Sequence, residues 1–286
     1  MPAGPGDGTE MRITFTKMQG LGNDFVLLDA RDEAFALSPS QLARLADRRY
    51  GVGCDQILVI DRAQLADAAV RYRVFNADGS PAQHCGNGIR CVARYLAAHG
   101  AAQGRELKIE LGGHAYALTL HDDATVAVDM GEPDFAPAAL PLAVPARAEA
   151  YEVVFNGQPL RFGAVSMGNP HAVFAVDDVA QAPVATLGAF LQSHALFPER
   201  VNAGFMQVLA RDRIRLRVFE RGAGETPACG TGACGAVAVG RLWGLLDARV
   251  DVELTGGHLT IEWNGPGTRL WMRGPAASVF EGTIDL

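Results

Sequence analysis

The feature that most constrains this chain is an internal repeat. Five short segments recur in the same order, three of them shifted by 144 positions. The recurring pairs are residues 22–24 and 168–170, 73–75 and 217–219, 85–88 and 229–232, 112–114 and 256–258, and 130–133 and 272–275. Because an ordered series of matches is a signature of duplication, the sequence predicts two homologous halves.

A Pro/Ala-rich stretch separates the repeated segments. Residues 133–150 hold four prolines and little periodicity, as is typical of a linker. A length of 286 residues accommodates two domains of ordinary size. We therefore expect an N-terminal half at residues 11–140 and a C-terminal half at 141–286. Residues 1–10 are rich in Gly and Pro and predict a disordered leader.

Each half repeats the same order of predicted elements. A capping box formed by Ser38 and Gln41, with a proline between them, begins a first helix, and its counterpart is expected at 184–194. Apolar helices are expected at 89–98 and 233–246, with alternating strands on either side. A helix that is apolar on all sides is a buried one. The prediction is an α+β fold of two pseudo-symmetric homologous domains, each a curled, mostly antiparallel sheet around a central apolar helix.

Composition excludes several classes of protein. The net charge is −7 and the arginines are scattered, so the chain lacks the basic patch of a nucleic-acid or membrane-surface protein. No stretch reaches the roughly 18 apolar residues of a transmembrane helix. Five cysteines without an export signal favour reduced thiols, and the expected location is the cytoplasm.

The two Cys-Gly-x-Gly segments combine a thiol with the start of a helix. The first amides of a helix have no partner within it and carry a partial positive charge. Glycines there let a carboxylate approach the backbone closely. The same field is expected to lower the pKa of a cysteine thiol from about 8.5 toward neutrality. Each segment therefore predicts an anion cradle beside a reactive thiol.

Two such segments suggest a reaction in which two thiols act on opposite faces of one carbon. If Cys85 and Cys229 face each other across a cleft, one thiolate can remove an α-proton while the opposite thiol delivers one. Pyridoxal phosphate chemistry needs a lysine, and the chain has only Lys17 and Lys108, neither in a phosphate-binding context. The predicted activity is therefore an amino-acid epimerisation without cofactor or metal, on a small-molecule substrate.

Alternatives remain open at this point. The spacings between neighbouring cysteines do not fit a zinc site, and Cys54, Cys91 and Cys234 have the apolar surroundings of core residues. A racemase for another amino acid would also keep two thiols. A redox protein would instead form a stable disulfide between Cys85 and Cys229.

The chain resembles diaminopimelate epimerases from Met11 to its C-terminus. The segments that carry the resemblance are 17–25 (KMQGLGNDF), 75–80 (FNADGS), 85–91 (CGNGIRC), 167–171 (MGNPH), 200–202 (RVN), 220–226 (ERGAGET) and 229–232 (CGTG). The resemblance implies interconversion of LL- and meso-diaminopimelate in bacterial lysine and peptidoglycan precursor biosynthesis. It implies that Cys229 is the base and Cys85 the acid toward the LL isomer, with the roles exchanged for the meso isomer.

The resemblance also implies roles for other residues. His171 and Glu220 would tune the thiols, and Arg221 would clamp the distal carboxylate of the substrate. The substrate-binding set it implies is Asn23, Gln56, Asn76, Gly86, Asn87, Asn169, Asn202, Glu220, Arg221, Gly230 and Thr231.

Three positions depart from the family's pattern. Cys54, in the segment 53–56, replaces a bulkier apolar residue and is expected to pack in the core. Thr231 stands where serine is common and keeps the hydroxyl group. Trp271 stands where related sequences carry a tyrosine associated with dimer contacts. An aromatic ring is thus retained, and the resemblance implies a homodimer with Trp271 at the contact.

Overall fold

The computed structural model describes residues 11–33, 35–82, 86–100, 102 and 104–286. These residues form eighteen β-strands, all linked edge to edge by hydrogen bonds, and four α-helices. Within the described part of the chain, no helix has both the length and the apolar character needed to cross a membrane.

The first half contains eight strands and two helices in the part up to residue 129. They are β1 (Arg12–Gly20), β2 (Asn23–Asp29), α1 (Pro39–Ala46), β3 (Gln56–Asp61), β4 (Val70–Asn76), β5 (Pro81–Ala82), α2 (Gly86–Ala98), β6 (Glu106–Leu111), β7 (His114–Leu120) and β8 (Thr125–Asp129).

The rest of the chain repeats this order between two additional strands. Its elements are β9 (Tyr151–Phe155), β10 (Gln158–Ser166), β11 (Pro170–Ala175), α3 (Val184–Leu191), β12 (Asn202–Ala210), β13 (Arg213–Glu220), β14 (Gly224–Thr226), α4 (Gly230–Leu242), β15 (Arg249–Leu254), β16 (Gly257–Glu262), β17 (Trp271–Pro275) and β18 (Ala277–Asp285).

Strand pairing follows the repeat at every step. In the first half β2 is parallel to β3 and β4 is parallel to β6, and in the second half β11 is parallel to β12 and β13 to β15. The other described pairs are antiparallel. The predicted α+β class with two pseudo-symmetric, mostly antiparallel sheets is confirmed.

The last strand belongs with the first. β18 pairs antiparallel with β1, in the way that β9 pairs with β10 in the second half. The C-terminus thus supplies the first half with the strand that the second half has at its own beginning. We therefore propose to add residues 277–286 to the first half, which the repeat alone bounded at residue 140.

The halves are joined along a seam between β8 and β17. These strands pair antiparallel, with Met272 opposite Val128. The largest core cluster lies beneath this seam and contains residues of both halves, including Val92 of α2 and Val237 of α4. Both helices are almost wholly buried, as their apolar sequences predict, but they share one core.

Helix bounds differ from the predicted ones at particular glycines. α2 and α4 begin at Gly86 and Gly230, so the Cys-Gly-x-Gly glycines form the first helical turn. The prediction that α4 extends to residue 246 is wrong. Gly244 adopts a left-handed φ of 71°, and the Leu245 amide donates to the Gly240 carbonyl at 2.9 Å, which ends the helix.

The capping box of α1 is confirmed. Ser38 caps the helix by accepting from the Gln41 amide, and the Gln41 side chain accepts from the Ser38 amide in return. Its partner α3 ends at Leu191, three residues before the expected end. α1 and α3 each pack over a smaller separate core on the outer side of their sheet.

The predicted linker is packed against the second half. Residues Pro137–Ala139 form a 3-10 turn, and Leu140 and Leu142 are buried in the same core as α3. The stretch therefore lacks regular strands but is held by apolar contacts, because its leucines face the sheet.

Close packing of α4 on β10 gives a test of this architecture. A Cβ on Gly163 would lie 2.4 Å from Val239 Cγ1, whereas a Cβ on Gly204 would have no neighbour closer than 3.6 Å. We expect Gly163→Ala to lower the free energy of unfolding by about 1–3 kcal/mol, because the added methyl overpacks the core. Gly204→Ala, a matched strand position, should leave stability unchanged or slightly higher. Chemical denaturation measures both, and equal stability of the two variants would contradict the packing.

Candidate active site

A cavity of about 410 Å³ lies between the two halves. Strand ends and helix starts from both halves line it. The predicted site residues among its described lining are Asn23, Gln56, Asn76, Gly86, Asn87, Asn169, Glu220, Cys229, Gly230 and Thr231. The cavity thus gathers residues spread over more than 200 positions of sequence.

The N-terminal ends of α2 and α4 meet at this cavity. Met272 of β17 lies between them and is fully buried. A Cβ on Gly230 would lie 2.9 Å from Met272 Sδ, and one on Gly86 would lie 3.5 Å from Met272 Cε. The missing Cβ of Gly230 lets the start of α4 approach this methionine closely, whereas a Cβ at Gly86 would fit at van der Waals distance. Two sets of helix-terminal amides therefore face one cavity, as an anion cradle requires.

Cys229 is the residue that precedes the first turn of α4. Its backbone is extended, with φ −116° and ψ 107°, and its carbonyl accepts the Ala233 amide at 3.0 Å. The thiol is 4% exposed and donates to Glu220 Oε2 over 3.1 Å. Thr226 donates to the other oxygen of Glu220. The carboxylate is thus held against the sulfur atom.

The environment of Cys229 reverses one expectation. Burial, and then the negative charge of Glu220, raise the pKa of the Cys229 thiol well above its ordinary value. The Thr231 hydroxyl and the Gly232 amide act in the opposite direction but do not outweigh these two causes. The prediction that the helix field lowers the pKa of the thiol is wrong for Cys229. A neighbouring carboxylate and the loss of hydration outweigh the two donors at the helix end.

A second group of side chains connects His171 to the same thiol. His171 Nε2 donates to Asn169 Oδ1 at 3.0 Å, and Asn169 Nδ2 donates to Thr231 Oγ1 at 3.3 Å. Thr231 Oγ1 lies 3.6 Å from Cys229 Sγ. Burial, with a smaller effect of the Arg221 charge, lowers the pKa of His171 to about 3. His171 is therefore neutral, and it reaches the thiol through two intermediate side chains.

Asn87 links the first-half helix to the chain just before Cys229. Its Nδ2 donates to Asn23 Oδ1 and to the Ala228 carbonyl, both at 3.3 Å. Asn87 is 5% exposed. This contact fixes the relative position of the two glycine-rich helix starts across the cavity.

Two predicted substrate-binding residues lie behind the described lining. Asn202 is buried, donates to the Pro170 carbonyl at 2.9 Å and accepts the Arg221 amide at 2.9 Å. The Arg221 guanidinium is half-buried and donates to the Glu199 carbonyl at 3.3 Å. Asn202 thus positions the backbone between Glu220 and Arg221.

Three other expectations concern residues that are not among the described lining residues. Cys85 lies outside the described residues, although the helix that follows it is described. Trp271 is half-buried on β17 and lines a separate surface cavity of about 660 Å³. The two lysines are paired with carboxylates, Lys17 with Asp24 at 2.6 Å and Lys108 with Asp67 at 2.7 Å.

The cavity also contains residues that the sequence reasoning missed. Asp55, Glu225 and Thr226 line it, and Asp55 accepts from Asn23 Nδ2 at 3.0 Å. Asp55 adjoins Gln56, which is predicted to bind substrate, and Glu225 and Thr226 fall within the segment 220–226. Sequence proximity to a site motif was the available signal, but it does not say which side chains point inward.

The arrangement is suited to chemistry at a carbon next to a carboxylate. It has helix-end amides to hold the carboxylate, a buried thiol with an adjacent carboxylate, and neutral amide side chains to bind polar groups. The fold and this site are those expected of an isomerase of the epimerase type.

Comparison with known proteins gives the family. The sequence profile of diaminopimelate epimerases matches residues 15–136 and 163–279. Diaminopimelate epimerases from Alkalilimnicola ehrlichii and Halorhodospira halophila are each 56% identical to this chain; both alignments cover 96% of it, and 100% and 96% of those proteins respectively. The chain belongs to the diaminopimelate epimerase family.

Solved structures with low identity share the fold. A hydroxyproline epimerase from Agrobacterium vitis, 13% identical, superposes with a TM-score of 0.67, covering 96% of this chain and 93% of that one. A phenazine biosynthesis protein of the PhzF family from Bacillus anthracis, 17% identical, also gives a TM-score of 0.67, with 96% and 99% covered. The two-domain architecture is therefore common to a named epimerase and a named phenazine biosynthesis protein.

The electrostatics of Cys229 can be tested with a pair of substitutions of opposite sign. Glu220→Gln removes a negative charge beside the sulfur, so the pKa of the Cys229 thiol should fall by roughly one to three. Thr231→Val removes a donor that stabilises the thiolate, so the pKa should rise. Site-resolved alkylation, followed by mass spectrometry of the Cys229 peptide across pH, measures both. A rise of the pKa in Glu220→Gln would contradict this account.

Proposed function

We propose that this protein interconverts LL- and meso-diaminopimelate, with Cys229 and Cys85 acting on opposite faces of the α-carbon. Family membership and 56% identity to proteins named diaminopimelate epimerase support the substrate. The observation that carries the chemistry is the Cys229 thiol, which borders the cavity at the start of α4 with Glu220 at 3.1 Å.

The proposed reaction transfers one proton at each face. The thiolate of Cys229 takes the α-proton of the LL isomer, so an S–H bond forms as the C–H bond breaks. The electron pair left on the α-carbon is delocalised into the substrate carboxylate, which the amides at the starts of α2 and α4 stabilise. The Cys85 thiol then gives its proton to the opposite face. In the meso direction the two cysteines exchange roles.

The repeat gives this symmetric reaction an asymmetric environment. Glu220 corresponds to Asn76 at the shift of 144, so the position of the carboxylate beside Cys229 is occupied by a neutral amide in the first half. An ammonium group of the substrate bound beside Glu220 would offset its charge and lower the pKa of the Cys229 thiol. Substrate binding would thus generate the base inside the cavity.

Recognition of the second amino-acid head requires polar groups away from the reacting carbon. Asn76 and Gln56 stand next to each other on this lining, with Gln56 Nε2 3.4 Å from Asn76 Oδ1. Arg221 and Asn202 are held together at the rear by the bond between the Arg221 amide and Asn202 Oδ1. We assign these four to the distal head, with the Arg221 guanidinium turning toward its carboxylate on binding.

The reaction can be followed directly. Reduced protein and LL-diaminopimelate in deuterated water should give deuterium at the α-carbon and conversion to the meso isomer, seen by proton NMR without added pyridoxal phosphate. We expect Cys229→Ala and Cys85→Ala each to lose epimerisation by at least roughly a thousandfold, the usual scale for losing a catalytic group.

Cys234→Ala is the matched control. It removes a different buried thiol, which lies within α4, and should retain activity. Substantial epimerisation by either active-site variant would overturn the two-thiol scheme. Exchange with proline or hydroxyproline but not with diaminopimelate would indicate a racemase for another amino acid.

We further propose that the enzyme works in the cytoplasm in lysine and peptidoglycan precursor biosynthesis, and as a homodimer. Trp271 supports an interface at the surface cavity of about 660 Å³, which it lines together with Ala117 and Leu118. A second surface to be compared is on β18, where Val279 and Phe280 are 58% and 49% exposed.

The molar mass in solution tests whether the protein is a dimer and which surface forms the interface. Light scattering should give twice the chain mass for the wild type and the single-chain mass for Trp271→Arg, because an interfacial charge without a partner costs several kcal/mol. Tyr50→Arg, at a side chain that is 80% exposed, is the control and should stay dimeric. Dissociation by Phe280→Arg instead of Trp271→Arg would move the interface to β18.

A further inference from the structure

Four side chains form a chain of hydrogen bonds beside the cavity. Arg90 Nη2 donates to Asn87 Oδ1 at 2.8 Å, and Asn87 Nδ2 donates to Asn23 Oδ1 at 3.3 Å. Asn23 Nδ2 then donates to Asp55 Oδ2 at 3.0 Å. Every bond in the chain runs in the same direction, from a guanidinium to a carboxylate.

The two ends determine that direction. A guanidinium has only donors, so it must face the oxygen of the Asn87 amide. An ionised carboxylate only accepts, so it must face the nitrogen of the Asn23 amide. An amide side chain alone has two orientations of similar energy. With Arg90 at one end and Asp55 at the other, rotation of either amide would put donor against donor or acceptor against acceptor.

The cationic end is held rigidly. Arg90 is 0% exposed and also donates to the Pro275 carbonyl at 3.2 Å and to the Gly86 carbonyl at 3.3 Å. A Cβ on Gly274 would lie 2.4 Å from Leu259 Cδ2 and 3.3 Å from Arg90 Nε, so the guanidinium packs tightly against the backbone of β17. The side chain of Arg90 therefore has little freedom to follow a rotated amide.

The anionic end is held by charge. Arg48 Nη2 donates to Asp55 Oδ1 at 2.8 Å and to Asp24 Oδ1 at 2.7 Å. The backbone amides of Asp24 and Asp55 donate to each other's carboxylates, at 3.1 Å and 2.9 Å. This reciprocal arrangement fixes Asp55 even though its carboxylate borders the cavity.

The second half has an amide–hydroxyl pair at the corresponding positions, with a cysteine where the first half has the guanidinium. Asn23 and Asn87 correspond in the repeat to Asn169 and Thr231, which also bond to each other. Arg90 corresponds to Cys234 at the shift of 144, and the second-half pair is continued by neutral His171 and by Cys229. The guanidinium end is therefore particular to the first half, whereas the second-half pair leads through Cys229 to the Glu220 carboxylate.

We propose that Arg90 and Asp55 are positioning residues that fix the side-chain amides of Asn87 and Asn23 in one orientation toward the substrate. The proposal rests on the proposed function, in which both asparagines bind substrate. It also concerns the loop of Cys229, because the oriented Asn87 amide donates to the Ala228 carbonyl. Loss of either end should therefore weaken catalysis without removing any group that touches the reacting carbon.

Steady-state kinetics on LL-diaminopimelate test this, after turnover by the wild type has been shown. Asp55→Ala should lower kcat/KM roughly tenfold to a hundredfold, the scale of a hydrogen bond to a charged group. Because Asp55 acts through Asn23, the double variant Asp55→Ala/Asn23→Ala should be no slower than Asn23→Ala alone. Losses that multiply in the double variant would overturn the proposal.

Variants of Arg90 must distinguish a role in orienting the Asn87 amide from a role in folding. Arg90→Met should lower kcat/KM by a similar factor, and Arg90→Lys, which keeps a cationic donor, should recover part of the loss. If Arg90→Met does not fold, the Arg90→Lys and Asp55→Ala results decide the question. Asp247→Ala is the control, since it removes an exposed ion pair with Arg211 and should leave kinetics unchanged.

A readout without substrate separates this proposal from the proposed function. In protein labelled with ¹⁵N at asparagine, Asp55→Ala should shift the side-chain amide resonances of Asn23 and, through it, of Asn87. Unchanged resonances of both would overturn the inference, whatever the activity. If the resonances shift as expected in the variant but the wild type does not turn over diaminopimelate, the proposed function is overturned and this inference is not.

Discussion

The meeting of two helix N-termini at one buried methionine organises this molecule. α2 and α4 each begin at a glycine beside Met272, and Met272 lies on the strand that joins the two sheets through the seam of β8 and β17. Helix-end amides that point into a cavity need partners, and a carboxylate-bearing substrate supplies them. The shared core beneath the seam holds both helices at this position, so the site depends on the packing of the two halves together.

Within that symmetric frame the two halves differ in charge. Glu220 stands beside Cys229 where the first half has Asn76, and the buried guanidinium of Arg90 stands where the second half has Cys234. The raised pKa of the Cys229 thiol follows from burial and Glu220 together. A site that looks like two equal copies in sequence is therefore electrostatically polarised, with the carboxylate next to one thiol and the buried guanidinium behind the other helix start.

Much of the fold could be predicted because its signals are local. The capping box at Ser38 and Gln41 and the apolar helix sequences gave correct element types, since capping and burial depend on short-range patterns. The end of α4 could not be read from its apolar run, because the left-handed turn at Gly244 overrides it. The pairing of β18 with β1 also lay beyond local reasoning, since the strands are separated by almost the whole chain.

The sequence by itself determined the duplication, the two thiol-bearing helix starts and the residue types of the site, because these are properties of motifs and their spacing. Only the tertiary structure decided what surrounds each of them. Burial depends on all neighbours in space, so the direction of the Cys229 pKa, the position of Asn202 behind the lining and the inclusion of Asp55 in it required the packed chain. The orientation of an amide is likewise set by partners that lie far apart in sequence, as Arg90 and Asp55 do for Asn87 and Asn23.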